Sequence, residues 1–163
     1  MLRQVIAILF ASILLAPAVS AQSNSDIAKV KSGQSCMECN LFQADFSYQA
    51  IHGVDVSFSR LRQASMSLAS MTGVNFSEAN LSVANLFGGQ FSDSNFADAN
   101  LRDSTLVGAY FDGANFSGAD LTGANLGGVD LRSAIGLTQR QLNKACGDKE
   151  TQLRGGLTIP KCK

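Results

Sequence analysis

The residues with most chemistry to offer are four cysteines, Cys36 and Cys39 in the string Cys36-Met37-Glu38-Cys39, then Cys146 and Cys162. A C-x-x-C spacing can serve thiol–disulfide exchange, supply half of a zinc site, or form a structural disulfide. His52 is the single histidine. No Ser or Cys nucleophile pairs with it in sequence, so it reads as a surface side chain. Glu78 and Asp98 lie twenty residues apart, and paired carboxylates can do acid–base work or hold Ca²⁺. Asn75, Asn95 and Asn115, and likewise Asn80, Asn100 and Asp120, recur at the same interval and could form ligand ladders. What these groups can do depends on the elements that carry them.

Those elements are set by a period of five. From Leu41 to Leu131 every fifth residue is apolar, nineteen positions without exception. Two places before each of these centres the residue is nearly always small, as at Ala44, Ala64, Ala79, Ala99, Ala114 and Ala124. Val54, Val74 and Val129 stretch that rule, and Gln49 breaks it. Asn or Asp usually sits just before the centre, and the two places after it are mostly Ser, Thr, Gly or charged. A helix needs apolar residues every three to four places and a strand every two. Five fits neither, and fixed self-similarity points to a solenoid. At twenty the centres sort into columns of like residues: Leu41, Leu61, Leu81, Leu101 and Leu121 in one, and Val56, Phe76, Phe96 and Phe116 in another. Four fives then make one square coil, with one large and one small residue of each five turned inward. Stacked Asn side chains are most simply amides bridging adjacent coils. The Glu78/Asp98 pair falls at a polar outward position with no cleft implied.

The stretch Ala114-Asn115-Phe116-Ser117-Gly118-Ala119-Asp120-Leu121-Thr122-Gly123-Ala124-Asn125-Leu126 resembles the A(D/N)LXX motif of the pentapeptide-repeat family. The resemblance covers residues 39–135. It implies an all-β, right-handed quadrilateral β-helix of just under five coils. At ~4.8 Å per backbone layer the rod is roughly 24 Å long. Some cytoplasmic members of the family are mimics of duplex DNA that bind topoisomerases, so an acidic rod raises that reading here.

The flanks set the other expectations. Arg3, the apolar run Val5–Ala16 and the small-x-small site Val19-Ser20-Ala21 read as a signal peptide over 1–21. The mature chain is then expected in the periplasm or secreted, with no membrane anchor after cleavage. Residues 22–38 read as a loose arm with at most one weak helical turn at Asp26–Lys31. After the repeats, Thr138 and Gln141 have capping-box spacing and Leu137 and Leu142 that of a hydrophobic staple. Residues 136–163 are therefore expected to form a short C-terminal capping helix and a tail. Cys36/Cys39 and Cys146/Cys162 fall at opposite ends of the rod, too far apart to share one metal ion. In an exported chain they are expected to be disulfides; Cys36–Cys39 and Cys146–Cys162 are the expected pairs, although four cysteines allow three connectivities.

Zero formal net charge hides an acidic rod, −5 over residues 39–135, and a basic tail, +4 over 136–163. The leading functional reading is a non-enzymatic exported scaffold or protein-interaction module without catalytic residues, cofactor or metal. A thiol–disulfide redox protein using Cys36/Cys39 is the alternative. DNA mimicry is weaker, because export removes the chain from any topoisomerase and −5 is modest; no nucleic-acid partner is expected. The expected partner surface is a column of Tyr48, Leu68, Phe87 and Val107 on the wall of Phe46, Met66, Leu86 and Leu106. It would dock a second copy or another protein with Phe87 and Tyr48 as anchors, unless Gly88 and Gly108 break it up.

Overall fold

A computed structural model describes residues 22–163. The signal-peptide assignment to 1–21 lies outside the described residues. The chain winds into a square solenoid whose successive coils pair in parallel at an offset of twenty, from Asn40 with Arg60 to Asn115 with Ile135. The four walls follow the centre columns: the first begins at Leu41, the second at Phe46, the third at Ile51 and the fourth at Val56.

One scheme places the N–H groups of most fives. The centre donates to the next coil, as Phe46 does to the Ser65 carbonyl at 2.7 Å. The residue before the centre donates to the previous coil, as Ser65 does to Ala44 at 2.9 Å. Two places after the centre, the N–H again reaches the next coil, as from Tyr48 to Ser67 at 3.1 Å. The small residue closes the corner turn onto its own centre, as Ala64 does onto Leu61 at 3.0 Å. The fifth N–H goes to the Asn or Asp side chain, as from Ser77 to Asn75 Oδ1 at 3.1 Å and from Ser57 to Asp55 Oδ1 at 2.9 Å. That local bond is why Asn and Asp dominate the place before the centre. In a unit that has Asn or Asp there, as in those of Phe76 and Phe96, every backbone donor is paired.

The corner fixes the remaining place. The second residue after the centre has positive φ, from Gln43 at 53° to Gly123 at 74°, the requirement of a type II turn at its third position. Each wall pairs through single bridges because turns leave only three extended residues between them; no wall is long enough for a regular strand. The all-β expectation is corrected to that extent.

Inside, the large centres and small residues are buried along the whole rod. Phe76, Phe96 and Phe116 stack at centroid separations of 4.9 and 5.2 Å, with ring planes nearly parallel. Phe91 and Phe111 meet them edge-on from the third wall.

The ends correct two expectations. The arm is not loose: helix α1 spans Asn24–Lys31, N-capped by Ser23, and buries Ile27 and Val30 in the same core. Asp26 Oδ2 accepts the Asn40 N–H at 3.0 Å, fixing α1 to the first coil. At the other end the capping box forms, but α2 is a single turn, Gln139–Leu142. No helix caps this end. Ala145 and Cys146 lie beyond the helix, where the backbone is taken up by pairing: Cys146 bridges Asn125, and Gln152 bridges Asp130. The tail thus adds a partial coil. Gly136 stands where the Phe116 column calls for a large centre, and a Cβ there would overlap Ser117. Gln141 then covers the open end, donating from Nε2 to the carbonyls of Phe116 and Ala119 at 2.8 and 2.9 Å.

Candidate interaction surface

The cysteines occupy repeat positions. Cys36 is the inward centre one coil before Val56, and Cys39 is the small residue of the Leu41 unit, so C-x-x-C spans one corner. The two are bonded across a Cα separation of 5.6 Å, and Cys146 is bonded to Cys162 across 4.8 Å. Cys36 is only 2% exposed. The Ser59 hydroxyl is inserted into this corner, accepting from the Cys39 N–H at 2.9 Å and donating to the Cys36 carbonyl at 3.0 Å. Ser94 does the same for the corner of Met71 and Val74. Both hydroxyls belong to small inward residues, and sequence gave no sign of their role beyond size. Asp26 brings a carboxylate oxygen within 4.8 Å of both sulfurs of the Cys36–Cys39 pair. Sulfurs joined to each other cannot ligate, and that carboxylate already accepts the Asn40 N–H, so the cluster offers no metal centre in this state.

His52 is exposed, with Nδ1 2.8 Å from the Thr72 hydroxyl of the next coil. Glu78 and Asp98 sit at corresponding corners with φ of 56° and 57°, both facing solvent. The first Asn column forms the expected ladder: Asn115 donates to Asn95 and Asn95 to Asn75, each at 3.1 Å. In the second column Asn80 and Asn100 cap their own corners, and Asp120 meets Arg102 at 3.3 Å.

The four apolar residues lie at one edge, between the second and third walls, in two adjacent columns rather than one. Tyr48 and Leu68 are the second residues of their corners; Phe87 and Val107 are the first. Tyr48 is 75% exposed, and Leu68 and Phe87 are each 47%; Val107 is half-buried. Leu68 donates its N–H to the Phe87 carbonyl and Gly88 to Val107, so the columns join diagonally. Gly88 does not break the stripe. Leu68 lies over it, with Cδ2 2.7 Å from where a Cβ would stand. Tyr110, on the outer face of the third wall and 60% exposed, extends the patch. Sequence reasoning passed over it because it holds the place usually filled by Asn or Asp. Residues 64–72, 84–92 and 104–111, which carry this edge through the second to fourth coils, contain no Asp, Glu, Lys, Arg or His. The opposite side, around the fourth wall, carries Glu38, Asp55, Glu78, Asp93, Asp98 and Asp112.

This architecture is that of a pentapeptide-repeat solenoid. The family model for pentapeptide repeats matches residues 51–88 and 94–132 with eight copies. The chain belongs to that family. A trypsin-treated variant of QnrB1, a plasmid-mediated fluoroquinolone resistance protein, shares the fold at 19% identity and TM-score 0.52, over 75% of this chain and 72% of that one. A pentapeptide repeat protein from the Arabidopsis thaliana thylakoid lumen is 32% identical over 71% of this chain and 79% of that one, at TM-score 0.41. HetL, from the cyanobacterium Nostoc, involved in heterocyst differentiation regulation, is 28% identical over 78% and 65%, at TM-score 0.39. No curated protein matches the sequence. Among the described residues, no helix is long and apolar enough to cross a membrane.

Proposed function

We propose that this chain is an exported, non-enzymatic protein-interaction module in which a rigid square rod presents one apolar edge to a protein partner. The observation that carries the reading is the contiguous run Tyr48, Leu68, Phe87 and Val107 on a wall otherwise made of hydroxyls, amides and glycine, with Asp45 in the first coil as its one carboxylate. Contiguous exposed apolar surface marks interfaces, whereas single exposed residues do not. The interface signal is aromatic enrichment with charge depletion, and this edge has both. Export is supported by Arg3, the run Val5–Ala16 and Val19-Ser20-Ala21, and by two disulfides that suit an oxidising compartment. Against thiol exchange stands the burial of Cys36, since reactive cysteines are partly exposed.

The test has two arms. Intact mass of the protein from the periplasmic fraction should correspond to a chain starting at Gln22; a soluble cytoplasmic species starting at Met1 would overturn export and restore the DNA-mimic reading. Pull-down and light scattering of the mature protein, with and without Leu68→Ser plus Phe87→Ser, should show loss of the bound protein in the folded variant. Retention of every bound species would mean this edge is not the interface.

A further inference from the structure

We infer that the partner on this edge is a second copy of the same chain, packed side by side and antiparallel; the inference rests on the reading of the edge as an interface. A patch that meets its own copy must not bring like charges together. The fourth wall, with six acids, would repel itself, whereas the edge between the second and third walls is free of ionisable side chains through three coils except for the Tyr110 phenol.

The shape of the edge is also self-complementary. Down the edge, the second corner residues run Tyr48, Leu68, Gly88, Gly108, two large and then two glycines. The first corner residues run Ser47, Ser67, Phe87, Val107, two small and then two large. A twofold axis across the rod, between the second and third coils, lays the first coil on the partner's fourth and the second on its third. Three large side chains, Tyr48, Phe87 and Val107, then face small residues of their own columns, while Leu68 meets the partner's Leu68 where that lies over Gly88. Tyr48 meets the hollow at Gly108, and Phe87 meets Ser67. A parallel pair also matches large with small, but it sets the +4 tails side by side. The antiparallel pair separates the tails and sets each beside the partner's N-terminal arm, which carries no net charge over residues 22–38, so charge selects it. The area is adequate for a modest dimer: Tyr48, Tyr110, Leu68 and Phe87 expose on the order of 450 Å² together, taking ~200 Å² for a full side chain. Flanking Ser, Thr and Gln residues bring this toward the ~800 Å² per partner of a standard interface.

The test uses the mature, oxidised protein in light scattering and sedimentation, with thermal unfolding to verify folding of each variant. The wild type is expected to dimerise. Tyr48→Glu and Val107→Lys should each weaken the dimer by about tenfold or more, the scale of losing one packed anchor. An equal mixture of the two should recover it, because one contact becomes a Glu–Lys pair and the other remains Tyr–Val. Only the antiparallel arrangement brings positions 48 and 107 together, since in a parallel pair they are three coils, ~14 Å, apart. A wild type that stays monomeric at every concentration reached, a dimer indifferent to both variants, or a mixture that does not recover overturns the inference. A monomeric wild type that still captures another protein, lost with Leu68→Ser plus Phe87→Ser, removes the second copy and keeps the edge as an interface. Capture indifferent to that pair of changes removes both.

Discussion

Phe96 and Asp98 stand two residues apart and answer to different physics. Phe96 is buried between Phe76 and Phe116 and touched edge-on by Phe91 and Phe111. Phe96→Ala should cost about 3–5 kcal/mol, as lost transfer plus a cavity the stacked rings cannot close. Its outward position makes Asp98→Ala look almost free in sequence, but Asp98 has φ of 57°. The left-handed region disfavours a Cβ by roughly 1–2 kcal/mol, less for Asp. Asp98→Ala should therefore destabilise by about 1 kcal/mol, while Asp98→Gly should be neutral or slightly stabilising. Denaturant unfolding of the three variants checks this. Equal losses at 96 and 98, or a Gly variant worse than the Ala variant, would show the corner assignment to be wrong.

Elements here stand or fall by their backbone pairing. The walls satisfy one another, but the last coil leaves its outward side open, and open sheet edges invite other chains. The tail closes it. Cys146 pairs with Ala124 and Leu126, Gly147 bonds Pro160 and accepts from Cys162, and Thr151 Oγ1 donates to Leu126 at 3.0 Å. The Cys146–Cys162 bond spans 16 residues in sequence; a loop of that size contributes ~3 kcal/mol in the chain-entropy model. Cys162→Ser is expected to lower the melting temperature, speed amide exchange at Leu126, Cys146 and Gly147, and promote end-on association. Unchanged exchange at those three amides would show that the tail holds without its bond. At the other end α1 forms because Ser23 caps it and Ile27 and Val30 share a buried face, a spacing that two apolar residues in a polar arm signal only weakly.

At the scale of the whole molecule, the repeat makes stability depend on acid. Five carboxyls distributed from the first coil to the tail are held below the ordinary range. The Ser47 N–H lowers Asp45, the Thr122 hydroxyl Asp120, the Arg132 side chain Asp130, and the Gly128 N–H Asp148. Burial pushes Asp55 up, but the N–H and hydroxyl of Ser57 and the Asn75 amide outweigh it. Because the folded values are depressed, the stability these groups contribute is present above the ordinary carboxylate pKa of ~4 and is lost as pH falls through the folded values. Each group is largely solvated, so each effect is small. The melting temperature should be level from about pH 7 to 5 and fall below about pH 4. Asp45→Asn with Asp55→Asn keeps the local N–H bond, as Asn75 does in the same place, and should flatten that fall. A slope unchanged in the double variant would place the acid sensitivity elsewhere.

The repeat could be read from sequence because it is local: one large, one small and one amide residue every five places specify inward face, corner and donor together. Leu41 to Leu131 needed no tertiary knowledge, nor did the Asn75–Asn95–Asn115 ladder, since stacking at twenty follows from the period. What required the fold lies where the period ends or two coils meet. Gly136 and Gln141 stop the rod through contacts with Ser117, Phe116 and Ala119, more than eighteen residues back in sequence. Ser59 and Ser94 enter corners of the preceding coil. The apolar residues at 48, 68, 87 and 107 were legible one by one. Their joining into a diagonal was decided by the corner geometry that sets Leu68 over Gly88, because adjacency across coils is a property of the stacked backbone and not of any single five.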